Sequence, residues 1–139
     1  MAEPEDLLAQ AIKLLAAAGN DLDYRVVIDR AYYGAYHAAR QFEEQLPYRS
    51  QAVSQNAGSH EALFQRLERP DAQLDYGLKM ISKDIAAQMR MLRPLRELAS
   101  YELGESVRID QAEEAVRAAK DIVAECVQGR KKLKARHSS

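Results

Sequence analysis

The chain has 139 residues, among them 23 Ala and 15 Leu but no Thr and no Trp, and its 20 basic and 21 acidic side chains leave a formal charge of −1. Strands favour β-branched and aromatic residues, so this is the composition of an all-α protein, and the length suits one domain, residues 1–139. The near-zero balance excludes the basic whole-molecule field of a constitutive nucleic-acid binder and strong membrane attraction, so any such contact has to be local.

Gly and Pro divide the chain into helix-sized pieces, each with a 3.6-residue apolar pattern. The first predicted helix runs from Pro4 to Ala18, with Leu8, Ile12 and Leu15 on one stripe, Glu5 and Asp6 in its first turn and Gly19 as the stop. A second helix starts near Asp21 to Asp23 and runs to about Gln45; its centre, Ala31 to Ala39, mixes small residues with tyrosines. Pro47 to Gly58 is polar and aperiodic, a loop of the length that often carries function. Ser59 is the predicted N-cap of a short helix with Leu63, Phe64 and Leu67 inward, ending before Pro70. From Asp71 the stripe Leu74, Leu78, Ile81, Ile85, Met89, Leu92 marks a long helix. An interruption and kink are expected at Pro94, with Gly104 as the end. The last helix opens with Asp110 and Glu113 in capping-box spacing and buries Ala112, Ala119 and Cys126. Beyond it, from Gly129, lies a basic tail that reads as a fraying, solvated helix end or a local RNA contact. The expected architecture is a four- to five-helix, mostly antiparallel up-and-down bundle with a kinked long helix.

The lone Cys126 allows no internal disulfide, the opening Met-Ala-Glu-Pro-Glu-Asp lacks the blocks of a secretory signal, and no apolar run approaches the roughly 18 residues of a membrane span. A cytoplasmic protein is expected. On the second helix Arg30, Tyr33 and His37 share a stripe, with Arg40 just beyond. Guanidinium, phenol and imidazole aligned in this way can hold a phosphate, stack on a base and move a proton; they can equally form an ordinary solvated face. His60 lies in the first turn of the short helix, where the helix dipole favours a neutral ring. Arg93, Arg96 and Tyr101 cluster around the expected kink, where they can be aimed into a groove. No spacing of His, Cys, Asp and Glu suggests a metal, and no cofactor is implied.

The run Asp29-Arg30-Ala31-Tyr32-Tyr33-Gly34-Ala35-Tyr36-His37-Ala38-Ala39-Arg40 resembles the Arg-Ala-Tyr-Tyr-x-x-Phe-His-Ala-Ala segment of HEPN-domain proteins. Ser59-His60 before an apolar helix, and Arg96-Glu97-Leu98-Ala99-Ser100-Tyr101, are similar to two further segments of that family and come in the same order. The resemblance implies a helical bundle that forms homodimers and often acts with a small nucleotidyltransferase as toxin and antitoxin. It also implies, in many members, a metal-independent endoribonuclease built from an Arg and a nearby His. Here Tyr101 stands where the commonest spacing from Arg96 places His, and Ser100 where the family has Asp. The catalytic candidates are therefore Arg96 with His37 or His60, and the nucleotide- or RNA-binding candidates are Arg30, Tyr33, Arg40, Arg93 and Tyr101. Formal Arg-x6-His spacings at Arg30 to His37 and Arg130 to His137 lie outside the usual segment. The alternative is a catalytically inactive dimeric interaction module.

Overall fold

A computed structural model describes residues 3–137, without the side chains of Arg136 and His137. Five helices follow one another: α1 Pro4–Ala17, α2 Asp21–Glu44, α3 Ser59–Glu68, α4 Tyr76–Tyr101 and α5 Ile109–His137, with no strand among the described residues. The protein is an all-α helical bundle, and none of these helices is long and apolar enough to cross a membrane.

Local chemistry sets most helix starts. Pro4 takes the first position of α1, and the Glu3 N–H donates to Asp6 Oδ2 at 2.8 Å. Asn20 accepts from the Asp23 N–H at 2.9 Å to open α2, and Asp75 accepts from the Leu78 N–H at 2.8 Å to open α4.

Neighbouring residues fix the directions. Pro4 and Leu8 of α1 lie against Gly34, so α1 runs antiparallel to α2. Arg25 meets Leu98 to Glu105, which brings the start of α2 to the end of α4. Asp21 accepts from the Val107 N–H, and Phe42 touches Gly129, so α5 runs parallel to α2. The central α2 thus contacts every other helix. Its small residues Ala31, Ala35, Ala38 and Ala39 are buried and allow this close approach, while Ile28, Phe42, Leu63, Phe64, Leu78, Met89 and Ile122 fill the core. Each such large apolar side chain contributes about 1.5–3 kcal/mol on burial.

Several sequence expectations need correction. Gly58 rather than Ser59 is the N-cap of α3, and Ser59 is its first helical residue. The long helix begins at Tyr76, not Asp71, because Asp75 supplies the cap; Leu74 is buried from the preceding turn. Pro94 does not interrupt α4: its ring is exposed, while buried Leu92 and Ala99 on either side anchor the helix, which accommodates one missing hydrogen bond. The start of α5 is closed not by Asp110 and Glu113 but by the Arg108 N–H donating to Gln111 Oε1 at 2.9 Å. The basic tail after Gly129 continues α5 to His137 with Leu133 buried rather than solvated; Ser138 and Ser139 lie outside the described residues. A Cβ at Gly129 would sit 2.5 Å from the Phe42 ring, so its role is to let α5 touch α2.

Candidate functional site

The second helix, the start of α3 and the last turns of α4 meet around a cluster of rings. Tyr32 faces the core and is fully buried, and a buried phenol needs a partner. It has one in His60, whose Nδ1 lies 2.7 Å from the Tyr32 hydroxyl oxygen. Burial pushes the Tyr32 phenol up to about 12 against the fields of Arg96 and Arg93, so the hydroxyl stays protonated at neutral pH. This bond fixes the His60 ring and directs Nε2 away from Tyr32. Tyr36, one turn further along α2, stacks on the His60 ring with centroids 3.9 Å apart.

His37 packs on the same group from the solvent side. Its ring stacks on Tyr33 at 5.6 Å and meets Tyr36 edge-on at 5.3 Å. Burial, then the charge of Arg40, lowers the pKa of His37; burial, then Arg96, Arg93 and His37, lowers that of His60. Both imidazoles are therefore neutral near pH 7, the state in which a ring nitrogen can accept a proton.

Arg96 completes the cluster. Its guanidinium carbon lies 5.0 Å from the Tyr32 ring centre, 5.6 Å from Tyr101 and 6.0 Å from Tyr33. Such contacts hold a cation over aromatic faces without satisfying its N–H groups. Asp29 approaches Nε no closer than 3.8 Å, beyond hydrogen-bond range, and instead accepts from the Ser100 hydroxyl at 3.1 Å. The guanidinium makes no hydrogen bond to any described residue, and its Nε is buried.

Of the residues singled out from sequence, His37, His60, Arg96, Tyr33 and Tyr101 come together. Arg93 lies beside them but donates to Glu61 at 2.8 Å, contacts Glu97 at 3.4 Å and rests over Phe64. Arg40 is exposed and paired with Glu44 at 2.8 Å, on the rim of a cavity of about 370 Å³ that Tyr36, Ser59 and Arg66 also line. Arg30 is exposed and makes no hydrogen bond, ion pair or ring contact with a described residue. The side chain of His137, in the second Arg-x6-His spacing, lies outside the described residues. Cys126 is buried, and burial raises its thiol pKa far above the usual range, as expected of a packing residue. No group of three or more His, Cys, Asp or Glu among the described residues could hold a metal ion.

Sequence reasoning overlooked Tyr32 and Tyr36 as the groups that orient His60, and Glu61 as the anion that engages Arg93. A usable signal existed for the tyrosines: two phenols on an otherwise apolar helix face require polar partners. Hydrogen bonds from Arg90, then Gln65 and Arg93, hold the Glu61 carboxyl down at about 2. No family model, no curated protein and no solved structure matches the chain.

Proposed function

We propose that this is a HEPN-type protein that binds a nucleotide or RNA through Arg96, with Tyr33 and Tyr101 as stacking surfaces and His37 and His60 as proton-transfer groups. The observation that carries this reading is the Arg96 guanidinium, set among three tyrosine rings and without a hydrogen bond to any described residue. A phosphate would supply the charge-assisted bonds that this group lacks. On the resemblance alone, its partners are a second copy and a nucleotidyltransferase, paired as toxin and antitoxin.

Metal-independent endoribonuclease activity is the extension of this reading. One neutral imidazole takes the proton of a ribose 2′ hydroxyl, whose oxygen bonds to the adjacent phosphorus. The bond to the 5′ oxygen breaks, the imidazolium just formed returns its proton to that oxygen, and Arg96 stabilises the charge on the phosphoryl oxygens. The test incubates the full chain with labelled RNA in EDTA, alongside Arg96→Ala, His37→Ala and His60→Ala. Expected are binding weakened at least tenfold in Arg96→Ala, and 2′,3′-cyclic phosphate ends that disappear in Arg96→Ala and in one His variant. Binding without cleavage removes the ribonuclease; absence of binding overturns the whole reading.

The interaction-module reading draws on a different observation: Leu22, Tyr101 and Leu103 expose 69%, 68% and 77% of their surface. If sedimentation finds a dimer that Leu22→Glu and Leu103→Glu dissolve, while the full chain binds no RNA, this second reading replaces the first.

A further inference from the structure

Among the described residues two buried side-chain nitrogens lack a hydrogen-bond partner: Nε of Arg96 and Nε of Arg130. They come from different helices, α4 and α5, yet both arginines reach the same face of α2. Tyr33, His37 and Gln41 follow one another at four-residue intervals, one turn apart on that face. Arg96 lies over Tyr33, and Arg130 donates through Nη1 to Gln41 Oε1 at 3.3 Å. His37 stands midway.

The fold creates this second arginine position in two ways. Opposite Gly34 lie the first turns of α1, where Pro4 and Leu8 meet the glycine backbone, so α1 runs from there towards the start of α2 and away from Gln41. Gly129 then lets the α5 backbone press against Phe42, which carries the next residue, Arg130, to Gln41. Residues 130–136 carry five basic side chains and no acid, of which Lys131 lies by Asp121 and Glu125 and Lys132 by Gly77 of α4, away from this stripe. Lys134 sits one turn beyond Arg130 on the same face of α5.

We infer that Arg130 forms a second phosphate-binding position, at the opposite end of the His37 stripe from Arg96. The inference rests on the reading of Arg96 as a phosphate ligand and deepens it. From Tyr33 to Gln41 the stripe covers about 12 Å at 1.5 Å per residue, the rise of three to four stacked nucleotides at about 3.4 Å each. One 5′-phosphate cannot occupy both ends. The ligand suited to both is a short single-stranded oligonucleotide, held at two phosphates with the intervening sugar opposite His37.

The experiment measures binding of the full chain to AMP, inorganic tripolyphosphate and single-stranded oligoribonucleotides of two, four and eight residues across a salt series. Wild type, Arg130→Ala, Arg130→Lys and Arg96→Ala are compared, with thermal melts to confirm folding. In the wild type, affinity is expected to rise sharply between two and four nucleotides. Arg130→Ala should remove that rise, weakening the four-residue RNA about tenfold and cutting the salt slope by about 0.7, one single-strand phosphate. It should leave AMP unchanged, and Arg130→Lys should restore the slope. Arg96→Ala should weaken every ligand. If Arg130→Ala follows the wild-type length series, the second position is overturned while the Arg96 reading stands. Tripolyphosphate binding as tight as the four-residue RNA overturns the oligonucleotide assignment, and absence of binding by wild type to every probe overturns both readings.

Discussion

Two arginine-rich regions flank the bundle and differ in how their charges are satisfied. Along α3 and the adjoining face of α4, Arg90 binds Glu61 at 2.7 Å and Glu68 at 2.6 Å. Beside it Arg93 binds Glu61, and the buried Glu43 accepts from Arg49 and Arg66. Along the His37 stripe of α2, Arg96 and Arg130 each keep a buried Nε without a hydrogen-bond partner among the described residues. Residue type and partial burial are similar, so the difference lies in how closely a carboxylate approaches: Asp29 stays 3.8 Å from Arg96 Nε, an ion pair without a hydrogen bond. Satisfied arginines hold helices together; a buried, unsatisfied one is a cost to folding that a bound anion would relieve.

If that contrast is correct, removal of a satisfied arginine should weaken the fold and removal of an unsatisfied one should not. The largest effect is expected at Arg25, which donates to the carbonyls of Leu98, Ala99, Glu102 and Glu105 and pairs with Asp21 at 2.7 Å. Arg25→Ala leaves the C-terminal carbonyls of α4 without donors and should cost about 3 kcal/mol, a melting drop of about 10 °C. Calorimetry of the folded chain checks this, and a drop under 2 °C would remove Arg25 from the satisfied class. Arg90→Ala comes next, at about 1–2 kcal/mol, because its side chain is 36% exposed and water screens both ion pairs. Denaturant titration in low and high salt reads it: the variant should lose most of the wild type's salt dependence.

A carboxylate without a cation gives the comparison its mirror image. Glu125 shares the Gln88 amide with Asp84, and burial, then Asp84, raises its pKa to about 7. A raised acid favours the protonated folded form, so this group's effect on stability is absent below its ordinary value of 4.5 and grows unfavourable as pH rises towards about 7. The loss should stay under about 1 kcal/mol after solvent screening, and Glu125→Gln should flatten it in melts across that range. His37 and His60 act in the opposite direction. Their lowered pKa values disfavour protonation, so their destabilising contribution appears only as pH falls below 6.5. The smallest effect on stability is expected at Arg96. Arg96→Met keeps the packing volume and removes the orphaned Nε, at the loss of cation–π contacts, for a net change within about 0.5 kcal/mol. A melting drop as large as that of Arg25→Ala would abolish the distinction between the two regions.

The fold was legible in the sequence because helix periodicity, caps and breakers are local. Leu78, Ile85, Met89 and Leu92 on one stripe, and Ala112, Ala119 and Cys126 on another, are buried as their spacing predicts. The expected break at Pro94 was a local rule overridden by packing, since the proline is carried inside α4 by its buried neighbours. The candidate site was legible in part. His37 and Tyr33 share a helix face, which spacing reveals, but the distribution of partners among the arginines cannot be read from spacing.

By itself, then, the sequence determined a four- to five-helix amphipathic pattern and the set of ring and guanidinium side chains on it, since each depends on residues three or four apart. Only the tertiary structure decided that Tyr32 would orient His60 from 28 residues away, and that Glu61 would take Arg93 while leaving Arg96 free of hydrogen bonds. It alone brought Arg130 to Gln41, 89 residues apart. The physical reason is that hydrogen bonds and ion pairs act over a few ångströms, and which groups come that close is set by how whole helices pack.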